Sequence, residues 1–202
     1  FLFMEVLDFF GIYTKDRYSR YAIIPMLLFA VAYVVVTRRP VTRVSYKLPN
    51  KDYLVEVRIG DVFDGEDDVV VSTNTTFDTN MAEGLIATGS LQGQVATRFF
   101  QSNTGEIDQQ LETELANIPA KERDNAPGKK REYPIGTVAR VRTHGRTFYF
   151  LAMSRLSENG TASSSMREIE DALEALWKFV TSHGELRPLS VPLMGTGRGR
   201  TG

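Results

Sequence analysis

At 202 residues the chain has room for a short N-terminal segment and one domain of about 150 residues with a buried core. Its 24 Lys/Arg against 25 Asp/Glu leave a net charge of −1, which gives no basis for nucleic-acid binding. With no cysteine there are no disulfides, thiolate metal sites or cysteine nucleophiles, and two histidines, His144 and His183, are too few for a histidine metal cluster.

Charge is uneven along the chain. Residues 1–50 carry seven Lys/Arg against three acids, and the remainder is net acidic. Residues 1–13 are apolar but hold Glu5 and Asp8, the pattern of the end of a first membrane span or of an interfacial helix. Residues 14–20 form a polar turn. Residues 21–37 hold no charge, are closed by Arg20 and by Arg38 and Arg39, and are expected to span a bilayer. The expected organisation is a membrane segment over residues 1–39, a linker over 40–51 and a ligand-binding domain over 52–202. The chain opens in an apolar stretch and stops in a glycine-rich loop, so the natural protein is expected to extend beyond both ends.

In the domain, residues 53–59 alternate with Val55, Val57 and Ile59 on one face, a period-2 strand. Residues 68–72 (DVVVS) are a continuous apolar run, as in a central strand covered on both faces. Residues 73–88 are polar and irregular, followed by helices over 91–100 and 107–115. Residues 117–134 read as loop, with Lys129, Lys130 and Arg131 a solvated basic cluster. Residues 137–143 and 146–152 flank Gly145 as a hairpin. Residues 165–182 have the clearest helical period, with Met166, Ile169, Ala172, Leu173, Leu176, Trp177 and Val180 on one face. Ser165 and Glu168 form a capping-box pattern, and Gly184 is the stop. Residues 189–194 are expected to be a buried strand. Strands alternating with helices around one hairpin predict an α/β fold with a mixed sheet.

Ligands of open α/β sheets bind outside the carboxyl ends of the strands. The segments expected there are Gly60-Asp61-Val62, Ser72-Thr73-Asn74, and the glycine-rich Gly195-Thr196-Gly197-Arg198-Gly199. Ser90-Leu91-Gln92-Gly93 opens a helix whose N–H groups can hold an anion. No Walker ending follows the Gly-x-Gly-x-Gly segment, and it lies after the last strand rather than the first.

This order of strand-end loops resembles the macro domain, the ADP-ribose-binding module. It places Ile59-Gly60-Asp61-Val62 against the family's Gly-Asp-Ile, Val70-Val71-Ser72-Thr73-Asn74 against its Asn-Ala-Ala-Asn, and Ser90-Leu91-Gln92-Gly93 and Pro192–Gly199 against its two phosphate loops. The resemblance implies that Asp61 accepts from the adenine amino group and that Val62 offers its N–H. It implies Asn74 near the distal ribose, and Ser90, Leu91, Gln92 and Gly93 with Gly195, Thr196, Gly197, Arg198 and Gly199 around the pyrophosphate. The reduced Ser-Thr-Asn motif and the insertion over residues 75–88 depart from the pattern and point to a modified ligand rather than plain ADP-ribose.

With apolar N-terminal segments, Phe77-Asp78-Thr79 and Ser90-Leu91-Gln92-Gly93 in this order, the chain is more specifically similar to the membrane effector of Thoeris anti-phage systems. That resemblance implies an ADP-ribose-derived ligand, with histidine-ADP-ribose a candidate, made by a TIR-domain partner. It implies a homo-oligomer acting on the lipid bilayer at a bacterial inner membrane, with the macro-like domain in the cytoplasm. No cofactor, metal or nucleic acid is expected, and no catalysis. A membrane-tethered ADP-ribosyl hydrolase and a non-catalytic scaffold remain open at the sequence level.

Overall fold

The computed structural model of the chain describes residues 2–11, 23–38, 42–124, 127–157, 159–194 and 200–201. They fall into two compact units, Phe1–Gly60 and Asp61–Gly202.

The first unit holds helices α1 (Leu2–Phe9) and α2 (Ile23–Thr37) and a ribbon of strands β1 (Arg43–Lys47) and β2 (Leu54–Arg58). α2 corrects the expected membrane span. It has 15 residues, or about 22 Å at 1.5 Å per residue, against a hydrocarbon thickness of about 30 Å. Among the described residues no helix is long and apolar enough to cross a membrane. The expected multi-pass inner-membrane location is therefore overturned. Tyr21 and the turn over residues 14–20 lie outside the described residues.

β2 departs from its expected place in the mixed sheet. It pairs antiparallel with β1, Val44 opposite Val57 and Tyr46 opposite Val55. This makes an amphipathic ribbon whose apolar face, Val44, Tyr46, Val55 and Val57, is exposed.

The second unit is built on β3 (Asp68–Asn74), helices α3 (Leu91–Phe99) and α4 (Thr104–Leu115), short strands β4 (Lys121–Glu122) and β5 (Arg131–Glu132), the hairpin β6 (Val138–Thr143) and β7 (Arg146–Leu156), β8 (Ala162–Ser164), helix α5 (Met166–His183), β9 (Leu189–Ser190) and β10 (Arg200–Thr201). β3 lies parallel between β9 and β7. β6 runs antiparallel to β7 through a His144-Gly145 turn, whose positive φ angles of 51° and 71° suit a tight hairpin. β8 pairs with the last two residues of β7, and β10 runs parallel to β8.

The pleat sorts side chains onto two cores. Val69 and Val71, Ala139 and Val141, and Phe148, Phe150 and Ala152 face α3 and α4, where Val95, Ile107 and Leu111 meet them. Val70, Tyr149, Leu151 and Met153 face α5 through Ile169, Ala172 and Leu176. Helices cover both faces of a mixed sheet, as the sequence pattern predicts. Burying each of the fully covered phenylalanines contributes about 1.5–3 kcal/mol.

Three local expectations change. Met166 and Trp177 are 68% and 51% exposed, because the apolar stripe of α5 is wider than the sheet surface it meets. The expected strand over residues 189–194 is regular only at Leu189 and Ser190, and Leu193 points out. Residues 75–79, expected as irregular polar chain, are buried.

Candidate functional site

The C-terminal end of β3 and the start of α3 form the centre of the candidate site. Ser90 caps α3: its Oγ accepts from the Gly93 N–H at 3.1 Å and donates to the Ala87 carbonyl at 2.6 Å. Gly93 has no room for a side chain, since a Cβ would overlap the backbone of Ala87 and Thr88. Neither the Leu91 nor the Gln92 N–H donates a hydrogen bond among the described residues. These two donors and the positive end of the helix dipole suit an anion. The Gln92 side chain has a role of its own, beside the backbone N–H expected to face the pyrophosphate. It is 4% exposed, accepts from Thr73 Oγ1 at 3.0 Å and donates to the Asp78 carbonyl. Its side chain therefore ties α3 to β3, leaving only its backbone for a ligand.

Asn74 ends β3 in a closed turn. Its Oδ1 accepts from Thr76 Oγ1 at 3.0 Å and from the Asp78 N–H at 3.1 Å, and its Nδ2 donates to Asp78 at 3.4 Å. Phe77 completes the turn at a φ of 51° with its ring fully buried against Tyr133. Asp78 is 1% exposed and accepts from Thr76 Oγ1, Asn74 and the Lys129 N–H.

The basic cluster of residues 129–131 is consequently not a plain solvated loop. Lys129 Nζ donates to the Phe77 carbonyl at 2.9 Å and pairs with Asp108, which also accepts from Thr79 Oγ1 at 2.8 Å. Gly128, at a φ of 79°, lies against the Asp78 carboxyl so closely that a Cβ would overlap it. Beside this network, Thr79, Asn80, Met81, Ala82, Ser102, Thr104 and Asp108 line a cleft of about 480 Å³. Asp78, Asp108 and Lys129 escape sequence reasoning because Lys129 reaches Asp78 across 51 residues. The only sequence signal was the position of Asp78 in Phe77-Asp78-Thr79.

Asp61 sits at the far end of α3. Its Oδ1 accepts the Phe63 N–H at 3.0 Å, and its Oδ2 accepts from Arg98 at 2.6 Å. The Phe63 N–H and the Arg98 guanidinium hold its carboxyl below the usual carboxylate range. Val62 follows it, and its N–H donates to no described group. Arg98, the partner of Asp61, stands about two helical turns, or about 10 Å along the axis, from Leu91 and Gln92 on α3. Gly195, Thr196, Gly197, Arg198 and Gly199 lie outside the described residues.

Among the described residues no cluster of His, Asp or Glu is arranged to hold a metal ion. The arrangement offers two unclaimed N–H groups at a helix start, a carboxylate and a free N–H along the same helix, and a polar cleft beside the closed turn. Those groups can bind a phosphorylated molecule.

Comparison with known proteins agrees with this architecture. The family "Thoeris protein ThsA, Macro domain" matches residues 55–202. A protein named "Thoeris protein ThsA" from Bacillus amyloliquefaciens (strain Y2) is 24% identical over 148 residues, covering 71% of this chain and 48% of that protein. The chain spans about half the length of the curated relative it matches. The mixed sheet with helices on both faces fits a macro domain, and the family match takes in well over half of the sequence. The chain belongs to the Thoeris ThsA macro-domain family.

Proposed function

We propose that the second unit is a sensor of a Thoeris-type anti-phage response and binds an ADP-ribose-derived small molecule supplied by a TIR-domain partner. The observation that carries this reading is the pair of unclaimed N–H groups of Leu91 and Gln92 at the start of α3, in a chain of the ThsA macro-domain family. Ser90 and Gly93 keep that helix start open, and the Asp61 carboxylate with the Val62 N–H takes the adenine. Binding, not turnover, is the activity. The support for this is that Asn74 and Asp78 spend their hydrogen-bonding groups on each other, on Thr76 and on Lys129. The altered distal-ribose turn and the adjoining polar cleft favour an ADP-ribose carrying a further group, histidine-ADP-ribose being the first to try. A ligand that prefers an assembled state shifts the population towards it, so binding drives association of copies of the chain.

Calorimetry on the full chain with ADP-ribose, histidine-ADP-ribose, NAD and ATP tests the reading. One ADP-ribose derivative should bind selectively, and Asp61→Ala should weaken it about tenfold, roughly 1.4 kcal/mol, without lowering the melting temperature. A folded chain that binds none of the four refutes the reading. Light scattering of the same samples reads the association step, and an unchanged mass on saturation removes that part.

A further inference from the structure

We propose that Arg98 selects the base of the bound ligand, fixing Asp61 as an acceptor for an amino-bearing purine and offering a guanidinium face beside Phe63 for the ring to stack on. The inference rests on the ADP-ribose reading of the site; Arg98 itself carries no assignment from the sequence pattern. Arg98 stands on the last turn of α3, its Nη1 2.6 Å from Asp61 Oδ2, and its guanidinium carbon lies 5.2 Å above the centre of the Phe63 ring. The Phe63 N–H holds the other carboxylate oxygen at 3.0 Å. Both oxygens are oriented, yet each keeps a lone pair.

An ionised carboxylate only accepts, so it complements the exocyclic amine of adenine and opposes the carbonyl of hypoxanthine at the same ring position. The Val62 N–H, next along the chain, adds a donor for a ring nitrogen. Guanidinium planes stack on bases, and Arg98 already sits over an aromatic ring, its guanidinium carbon 5.2 Å from the centre of the Phe63 ring. The side chains of Arg98 and Asp61 are 46% and 34% exposed, which leaves them open to a ligand. The same helix carries the phosphate donors at its first turn, so a nucleotide lies along α3 with its phosphates at Leu91 and Gln92 and its base at Arg98.

The ion pair is half exposed, and pairs of that kind contribute little to folding, so its removal leaves the fold intact. Affinities of the full chain for ADP-ribose and for its hypoxanthine counterpart, with Arg98→Gln and Arg98→Lys, test the role. The wild-type chain should prefer ADP-ribose. Arg98→Gln should lose about tenfold for ADP-ribose and change the hypoxanthine analogue much less, and Arg98→Lys should recover part of the preference. Equal loss for both ligands, or no loss for either, overturns the role of Arg98 while wild-type binding of ADP-ribose keeps the wider reading. A wild-type chain that binds neither ligand overturns both.

Discussion

Asp78 and Asp108 are two acids on one network with unequal energetics. Asp78 is 1% exposed, and three donors converge on it from Asn74, Thr76 and the backbone of Lys129. Truncating it strands the Asn74 amide and the Lys129 N–H, while Thr76 Oγ1 keeps Asn74 Oδ1 as its acceptor, and each stranded donor costs about 1–3 kcal/mol. Asp108 is partly exposed and pairs with an equally accessible Lys129, a contact of about 1 kcal/mol or less. Asp78→Ala should therefore lower unfolding free energy by about 3 kcal/mol or more, and Asp108→Ala by about 1 kcal/mol. Urea unfolding of the two variants decides it, and equal losses would mean that the turn after β3 is not closed in solution. The residues concerned were only half legible. Asn74 is named by the strand-end rule, but that its amide is spent inside its own turn depends on Thr76, Asp78 and a lysine 51 positions beyond.

At the scale of elements, legibility follows how local the determining interaction is. α5 is fully written in its own residues: Ser165 accepts from the Glu168 N–H, Glu168 accepts from the Ser165 N–H at 2.9 Å, and Gly184 ends it. The hairpin is local too, set by Gly145 between two alternating runs. The pairing of β2 and the short length of β9 were not legible, because an apolar run does not say which neighbour it pairs with, and Leu189 and Ser190 join the sheet through Asp68 and Val69. The outward turn of Trp177 is of the same kind: period marks a stripe, and the width of the sheet beneath decides how much of it is covered. The local case yields a pH test. The Ser165 N–H, then Arg155, hold the Glu168 carboxyl below its ordinary range. Its contribution is thus full above the unfolded value of about 4.3 and is lost as pH falls through the lower folded value. Glu168→Ala should cost about 1 kcal/mol at pH 7, and the gap to wild type should narrow in the acid limb below about pH 4. A gap that stays constant between pH 7 and pH 3 would show that the cap does not depend on the ionised carboxylate.

At the scale of the whole chain the two units differ in what can hold them folded. Among the residues whose burial is described, the first unit buries no apolar side chain, and a two-stranded ribbon such as β1–β2 is marginal alone in water. The second unit carries both cores. Heat should therefore unfold the chain in one cooperative transition belonging to residues 61–202, with the first unit adding no second peak. Because the proposed site lies wholly in that unit, the ligand couples to the same transition. At a free concentration a hundred times its dissociation constant it adds about 2.7 kcal/mol, which for a domain of this size raises the melting temperature by about 10 °C. Scanning calorimetry with increasing ligand measures both quantities together. A shift of that size in a single peak ties recognition to the sheet and α3. Two peaks, only the lower of which moves with ligand, would place the site on a less stable part of the chain than the cores described here.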